Sequence, residues 1–512
     1  MPSLRRPLLD VVGQAAFSAL LAAHIGCVTE SLKHAPASPA EAWTAPPDSD
    51  YVKPLREAST MATPSASAAV LPQQDRKEEQ KLDAAPQNRL QLEAGHRYTL
   101  PELIDLAERH NPETREAWEK ARQAALSIGL AESKYLPELA VTAIGGYQRT
   151  PLPMPLNVIP AGFVTFVTAE VVPMLAAKWL LFDFGRLAEL HEAEAKTFTA
   201  NVAFTEAHEK LVFAVSKDYF ALGSARASVR VAESAAANAL KTQEITEGRR
   251  EHGVATSVEV AQAQRETAQA RYTVVKAQGA ERTAYSTLVG TMGIDPNGTL
   301  EVADSSERQL PEAPMEDVRA LIEKALASRP DVLAAFGQVR AAEAGLDKAK
   351  AAYWPVLDVS AQVYGMFGWW AVDSPFFRLQ RPGMDALLGL KWPIFDGGAR
   401  ELNVATARSA VSAARAALDG ARNKAAAEVT RAYDGLKTSF AEYRAAVEAE
   451  SAARTALEAA VDAYRSGVGP LTDVINAANA ASKSQMQREE ARAGVLTAAA
   501  ELAFALGSAV RR

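Results

Sequence analysis

The sequence is poor in the residues that build metal centres, disulfide frameworks and nucleic-acid surfaces. Its 512 residues include one cysteine, which excludes intrachain disulfides and cysteine-based metal clusters. The seven histidines are scattered, and no pair has the close helical spacing of a zinc site. Lysine and arginine total 55 against 62 acidic residues, and this net charge of −7 argues against nucleic acid as a partner. Nucleophile elbows and phosphate loops are also missing, so the sequence predicts neither an enzyme nor a cofactor.

The N-terminus has no apolar run long enough to span a bilayer as a helix. Arg5 and Arg6 precede an apolar stretch over residues 15–25, which is shorter than the roughly 20 residues that a spanning helix needs. This arrangement predicts a secretory signal peptide over residues 1–27. Cys27 follows the apolar stretch, where bacterial lipoprotein signals place the cysteine that is lipidated. We therefore expect lipidation of Cys27, with an incidental cysteine as the alternative.

Residues 28–97 have little hydrophobic periodicity. The stretch is rich in proline, alanine and serine and then becomes charged, as in "TPSASAAVLPQQDRKEEQK". Such a composition buries too little apolar surface to offset the entropy of ordering. The sequence predicts a disordered tether.

The rest of the chain is a duplication. "LIDLAERHNPE" from Leu103 matches "LIEKALASRPD" from Leu321, an offset of 218, and the same offset relates "YLP" at Tyr135 to "YWP" at Tyr353. Further landmarks recur in the same order at offsets of 213 to 217, including Trp179 with Trp392, Gly253 with Gly467 and Gly290 with Gly507. Two copies of one supersecondary plan are therefore expected, over residues 98–300 and 301–512.

Each copy contains a short region of period-two alternation. Strand pairs are predicted over about residues 138–183 and 356–395, each interrupted by a proline-rich loop. One apolar and one polar face suit either a half-buried soluble sheet or an outer-membrane strand. Aromatic residues gather at the strand ends, which favours membrane spans with Trp179, Trp369, Trp370 and Trp392 as interface aromatics. Four strands cannot close a barrel, but three chains would supply about twelve.

Proline is absent from Arg186 to Asp295, from Ile394 to Gly469 and from Leu471 onwards. A helix from Arg186 to about residue 249 would extend roughly 95 Å and needs lateral partners along its length. Both long helices are interrupted near a glycine, in "RREHGVATSVEV" and "YRSGVGPLTDV". These interruptions predict two antiparallel helical hairpins with small apolar tips, Gly253-Val254 and Gly467-Val468.

Taken together, these motifs resemble the TolC-like outer-membrane efflux proteins, particularly their lipoprotein, OprM-like branch. The resemblance covers about residues 98–507. It rests on the duplicated "YLP/YWP" entry to the strands, the "W-x-x-FD-x-G" exits, the turns after Arg250 and Arg465, and the terminal "FALG".

The resemblance implies a mainly α fold with membrane β structure: a homotrimeric 12-stranded β-barrel in the outer membrane of a Gram-negative bacterium, continued by a long α-helical coiled-coil barrel in the periplasm. Partners would be outer-membrane lipid, a periplasmic adaptor and an inner-membrane pump of the RND type. The hairpin tips Gly253, Val254, Gly467 and Val468 would contact the adaptor. Glu259 and Asp473, with Arg250 and Arg465 as ionic latches, would close the periplasmic end.

Three functions follow as hypotheses. The first is a passive exit duct for small molecules or metal ions in a tripartite efflux system. The second is the outer-membrane channel of type I protein secretion, which differs from the first only in its partners. The third is a periplasmic coiled-coil adaptor or structural protein without membrane strands, which the twofold strand–loop–strand insertion disfavours.

Overall fold

The structure is a computed structural model that describes residues 31–45, 96–153, 155, 162–295, 300–305, 308–311, 317–372 and 376–508. The predicted signal peptide and Cys27 lie outside these residues. Chain contacts divide the molecule into two units. The first is Met1–Ala35, Arg122–Thr199 and Gly337–Ala417, and the second is Pro36–Ala121, Ala200–Phe336 and Leu418–Arg512.

The duplication predicted from the sequence is confirmed element by element. The first copy consists of β1 Arg97–Tyr98, α1 Leu100–His110, α2 Pro112–Ser133, β2 Glu138–Pro153, β3 Phe163–Phe182, α3 Gly185–Glu251 and α4 Ser257–Thr291. The second consists of β4 Glu301–Val302, α5 Val318–Ser328, α6 Pro330–Ala351, β5 Val356–Val372, β6 Phe376–Lys391, α7 Ala399–Arg465 and α8 Leu471–Ala505. Corresponding helices have equal lengths of 11, 22, 67 and 35 residues.

The first unit contains an antiparallel sheet in the order β2-β3-β5-β6 within the described part of the chain. The proline-rich loops, which the sequence predicted from Pro151 to Pro160 and from Pro375 to Pro382, are shorter than predicted, because β2 continues through Pro153 and β6 includes Pro382. The second strand pair also ends earlier than predicted, at Lys391 rather than about residue 395. Pro393 follows two residues later, and it has no N–H with which to extend the ladder.

In its described residues, the second unit combines helices with one short parallel strand pair, β1 with β4. Its largest core surrounds the start of the first copy, where Leu103, Leu288 and Met292 are fully buried. A second core joins α5 to α7 and α8 around Ala325, Val429 and Val495. These cores bury the apolar stripes that helices of this length cannot leave facing water.

Part of the predicted tether is ordered, which corrects the expectation for residues 36–45. Trp43 packs beside Trp118 and Phe204, and the carbonyl oxygen of Pro36 accepts a hydrogen bond from Nε1 of Trp118 at 3.0 Å. The Thr205 hydroxyl donates to the Trp43 carbonyl at 2.6 Å. The composition of this segment could not predict its ordered structure. The segment is held in place by backbone carbonyls and one tryptophan and not by a periodic apolar face.

Candidate functional site

The transition from β3 to α3 is organised by one buried arginine. Arg186, which is 7% exposed, donates from its guanidinium to the carbonyl oxygens of Leu180 and Leu181, both at 2.8 Å, and of Lys134 at 3.1 Å. The guanidinium carbon lies 4.5 Å from the centroid of the Tyr135 ring. Arg186 therefore binds backbone carbonyls at the point where the register between β3 and β5 shifts, between Leu180 and Phe182, just before the chain turns into α3.

The transition from β6 to α7 repeats this arrangement. Arg400 donates to the carbonyl oxygens of Pro393 at 2.6 Å and Ile394 at 3.2 Å, and it lies 5.2 Å from the Tyr353 ring centroid. Pro393 and Ile394 are the repeat equivalents of Leu180 and Leu181. Arg400 also forms an ion pair with Asp396 at 2.8 Å. Partial burial raises the pKa of the Asp396 carboxyl, but the hydrogen bonds and charge of Arg400 lower it by more, so the pKa lies below its ordinary value.

Two further contacts are repeated at these junctions. The indole N–H groups of Trp179 and Trp392 donate to the carbonyl oxygens of Tyr135 and Tyr353 at 2.9 and 3.1 Å. Carboxylates also accept from backbone N–H groups at the helix starts, Asp183 from Gly185 at 2.7 Å and Asp396 from Gly398 at 3.2 Å. The duplicated "W-x-x-FD-x-G" motif thus encodes one junction that is built twice.

The four-stranded sheet has two chemically different faces. Strand alternation and register place acidic and amide side chains together on one face: Glu138, Glu170, Asp358, Gln362 and Asp385, with Lys178 among them. The other face carries large apolar side chains that are 55% to 82% exposed in the single chain: Leu139, Val141, Val363, Met384, Leu388 and Leu390. Such a continuous exposed apolar face indicates contact with lipid or protein.

Three of the four predicted interface tryptophans share the apolar face. The strand register places Trp179 and Trp369 on that side of β3 and β5, and Trp392 continues the same alternation just beyond β6. Trp370 corrects the prediction, because it points to the polar face. There its ring stacks on Phe166 with centroids 5.9 Å apart. Trp370 therefore does not belong with the other three.

The two hairpin turns in the second unit have the same backbone geometry. Gly253 and Gly467 have φ values of +76° and +80°, and the N–H groups of Val254 and Val468 donate to Arg249 and Ala463 carbonyls at 2.8 and 3.0 Å. Both turns are Schellman motifs, in which a left-handed glycine ends the helix. Val254 and Val468 are 64% and 83% exposed, so each turn presents an apolar tip to its surroundings.

The predicted gate residues occupy different environments in the chain. Arg250, Arg465 and Asp473 are exposed, and no ion pair joins them within the residues that the structure describes. Glu259 instead closes a capping box at the start of α4, where its carboxylate accepts from the N–H and hydroxyl of Thr256 at 2.7 and 3.0 Å. The carboxylate of Glu259 is thus already engaged in capping the N-terminus of α4.

An interaction that the sequence did not suggest connects the two hairpins close to their turns. Arg249 donates to the carbonyl oxygen of Tyr464 at 2.8 Å, and its guanidinium lies 4.6 Å from that ring centroid. The hydroxyl groups of Thr246 and Tyr464 are 3.2 Å apart in a buried setting. Tyr464 is 4% exposed and packs with Leu471, Val474 and Ile475. Arg249, rather than the neighbouring Arg250, therefore forms the contact between hairpins.

No group of three or more histidine, cysteine, aspartate or glutamate side chains in the described part of the chain is arranged to hold a metal ion. Among the same residues, no helix is both long and apolar enough to cross a membrane.

Known proteins are similar to this chain in sequence and in fold. The profile of the "Outer membrane efflux protein" family matches residues 103–293 and 321–508, one segment in each repeat. Protein CyaE from Bordetella pertussis is 28% identical over 383 residues, covering 74% of this chain and 77% of CyaE. Outer membrane protein OprJ from Pseudomonas aeruginosa is 26% identical over 372 residues, covering 72% and 75%. The structure of the outer-membrane channel OprN has a TM-score of 0.68 at 19% identity, with coverage of 80% and 90%.

The fold is that of the TolC-like outer-membrane channels, as the sequence predicted. The chain belongs to the outer membrane efflux protein family. It is an efflux channel component located in the outer membrane. The hypothesis of a periplasmic adaptor or spacer without membrane strands is thereby set aside.

Proposed function

We propose that three copies of this chain form the passive exit duct of a tripartite efflux system for small molecules or metal ions. Each copy contributes its four strands to one closed twelve-stranded sheet in the outer membrane. The 67-residue helices and their return helices extend into the periplasm. A periplasmic adaptor connects the duct to an inner-membrane pump of the RND type, which supplies the energy.

The observation that carries this proposal is the two-faced sheet. Its polar face suits a water-filled lumen and its apolar face suits lipid. Trp179 pairs with Val359, and Trp369 lies ten residues further along β5. Ten residues correspond to about 33 Å along a strand and, at the usual tilt of membrane strands, to about 25 Å in height. This height matches the apolar band of an outer membrane, with tryptophans at both of its edges.

The adaptor is proposed to bind the hairpin tips. Val254 and Val468 are exposed apolar side chains on rigid turns, held by Gly253 and Gly467. Small apolar surfaces of this kind can pack closely against another helical protein, and the Schellman geometry limits the entropy lost on binding.

Adaptor binding can be tested by introducing a charge at each tip. Val254→Asp and Val468→Asp should abolish co-purification of the adaptor and drug or metal resistance, while leaving the protein in the outer membrane. Val275→Asp is the matched control, because Val275 is equally exposed, at 64%, but lies within α4 away from the turn. Full resistance with both tip variants would contradict this assignment.

The same assay separates efflux from type I protein secretion. A strain that lacks the chain should accumulate the small solute and regain export when the wild-type chain is restored. Unchanged solute levels, with loss of a polypeptide from the medium instead, would show that the duct serves protein secretion.

The gate is proposed to lie where the hairpins turn, with Asp473 and Arg465 as its charged groups. Asp473 residues repeated around a threefold axis would attract cations and repel one another. Replacing both Asp473 and Arg465 with alanine should raise single-channel conductance in planar bilayers. Unchanged conductance would exclude these two residues from the gate.

Lipidation of Cys27 is part of the proposal and rests on the sequence alone. Cys27→Ser should abolish acyl labelling and leave the trimers assembled. A mature chain that starts at another residue and incorporates no lipid would contradict it.

A further inference from the structure

The outer strands of the four-stranded sheet have no neighbour within the described residues. β2 and β6 are each 16 residues long and pair on one side only, β2 with β3 and β6 with β5. Unpaired strand edges cannot face lipid, because their N–H and C=O groups would lack partners. Under the proposed function, on which this inference rests, these two edges meet between two copies of the chain.

Because the two repeats are equivalent, the register of one strand pair can be transferred to its counterpart by adding the sequence offset of each strand. Pairings within the chain confirm this rule. The offset from "YLP" to "YWP" is 218 and the offset from Trp179 to Trp392 is 213. In the first hairpin Ala143 pairs with Pro173. Adding 218 to the first residue and 213 to the second gives Ala361 and Ala386, which do pair in the second hairpin. The two offsets therefore carry the register of one hairpin onto the other without error.

The same rule applies to the seam between the two repeats. β3 is the second strand of copy one and β5 is the first strand of copy two, and they pair antiparallel with Leu175 opposite Val363. The equivalent of β3 is β6, and the equivalent of β5 is β2. Because β6 and β2 lie at opposite edges of the sheet, they can repeat this seam only between two molecules.

We infer that β6 of one copy pairs antiparallel with β2 of a second copy, with Leu388 opposite Gly145. This register follows from Leu175 and Val363 by the two offsets. It also places Leu390 opposite Ala143 and Lys391 opposite Thr142.

Side-chain chemistry along the two edges agrees with this register. Polar-face residues meet polar-face residues, and Asp385 falls opposite Gln148, as it falls opposite Gln362 within the chain, where the two side chains are 2.7 Å apart. Large aliphatic residues meet small ones in three further pairs: Leu388 with Gly145, Leu387 with Gly146, and Ile144 with Gly389. A two-residue slip would instead bring Leu387 against Ile144 or Leu388 against Tyr147, so it would lose this complementarity.

The apolar residues that follow β6 also support pairing with a second copy of the chain. At the seam inside the chain, Phe184 contacts Trp354 with ring centroids 5.0 Å apart, and Leu181 is half-buried. At the open edge, the equivalent of Leu181 is Ile394, which is 89% exposed. The repeat equivalent of Trp354 is Leu136, itself 58% exposed at the other edge of the sheet. The two offsets relate Phe184 and Trp354 to Gly397 and Leu136, so Leu136 of a second copy is placed beside Gly397, three residues beyond Ile394.

Cysteine cross-linking in outer membranes tests the register. Directly paired residues in antiparallel strands have Cα atoms about 4.5–5.5 Å apart, within the range of a disulfide, whereas diagonal neighbours are about 7–8 Å apart. The test variants are Ala143→Cys with Leu390→Cys, and Thr142→Cys with Lys391→Cys. Neighbouring pairs alternate between the two ladder geometries, so one of the two has the geometry that cross-links more readily.

Two slip pairs and one intrachain pair serve as controls. Ala143→Cys with Leu388→Cys and Ile144→Cys with Lys391→Cys each test a slip of two residues, in opposite directions. Ala177→Cys with Ala361→Cys reproduces the first test pair inside one chain, where the pairing is known. It should lose both free thiols without forming a larger species.

The expected result is a covalent ladder that ends at three chains for at least one in-register pair, with little product from either slip pair. Preferential cross-linking of a slip pair, or no interchain product in a trimer that still exports, would overturn the register and leave the proposed function standing. Absence of trimers and of export in the wild-type chain would overturn the proposed function together with this inference.

Discussion

The two strand-to-helix junctions are built from equivalent residues but differ in how well their apolar side chains are covered. At the first junction Leu181 is half-buried and Phe182 is 54% exposed. At the second junction their equivalents, Ile394 and Phe395, are 89% and 87% exposed. The first junction has β5 and its flanking residues beside it in the same chain, whereas the second lies at the open edge of the sheet. Repeated sequence therefore reproduces the local geometry, while neighbouring strands determine the burial.

The two hairpin turns have the same backbone geometry, but the helices that follow them begin with different caps. Both contain a left-handed glycine. The first is followed by the Thr256–Glu259 capping box, whereas Pro470 stands at the N-cap of the second and offers no side-chain hydrogen bond. The backbone motif is thus maintained although the residues that follow it differ.

The junction comparison predicts the largest mutational effect. Arg186→Ala should destabilise the folded protein by about 3 kcal/mol, because it removes charge-assisted hydrogen bonds to three carbonyl groups. Arg400→Ala should cost about 1–2 kcal/mol in an unassembled chain, since the two carbonyl groups it leaves lie at an open edge that water can reach. The midpoint of thermal unfolding, recorded for the unassembled chain and for the assembled protein in detergent, measures both free-energy losses. If a second copy covers the second junction, the stability losses of Arg186→Ala and Arg400→Ala should be more alike in the assembled protein than in the unassembled chain. An unchanged difference between the two losses would contradict this covering contact. Arg186→Lys, which keeps the charge but loses the planar fork, should give an intermediate value.

The contact between hairpins predicts the next effect. Arg249→Ala should weaken the association of α3 with α7 by about 2 kcal/mol, because it removes a hydrogen bond and a partly buried cation–π contact. We expect higher conductance in planar bilayers as the hairpins separate more often. The matched control is Lys241→Ala, an exposed cation about two turns earlier on α3, which should change little. Equal effects of the two substitutions would mean that the Tyr464 contact does not hold the hairpins together.

The glycine turns should respond alike. Gly253→Ala and Gly467→Ala should each cost about 1 kcal/mol, because alanine disfavours a positive φ, and a Cβ atom at either position meets no atom within 4 Å. Thermal midpoints of the two variants provide the comparison. A much larger loss at one turn would show that its conformation is also fixed by a partner.

The caps should give the smallest effects, with opposite signs. Thr256→Ala should destabilise α4 by about 1 kcal/mol through loss of the capping box. Pro470→Ser should stabilise the start of α8 by about 0.5 kcal/mol, since the backbone there is extended and accepts a capping residue. Thermal unfolding of the single and double variants would distinguish these effects, and destabilisation by Pro470→Ser would show that the proline itself is needed.

Much of the fold could be predicted from the sequence, because the signals that begin and end helices, turns and strands occur in both copies of the duplication. Proline-free segments predicted the long helices, Gly253 and Gly467 marked the turns, and alternation around Val359 and Leu388 located the strands. These are local signals, and a second copy confirms each one independently.

The remaining features depend on contacts that no local pattern reveals. Arg186 and Arg400 follow the "FD-x-G" motif in both copies, a recurrence that could have identified them, but their carbonyl partners appear only in the folded junction. Trp370 has the same strand parity as Asp358, so alternation alone could have placed it on the polar face. The ordered segment over residues 36–45 could not be predicted, because its attachment depends on side chains that are distant in sequence, such as Trp118.

The central claim is that three copies of this chain share one sheet that closes around a pore. The most direct measurement is the native mass of the detergent-extracted protein, combined with its conductance in a planar lipid bilayer. We predict a mass three times that of the mature chain and discrete ion-conducting steps. A water-soluble single chain that passes no current would contradict the account.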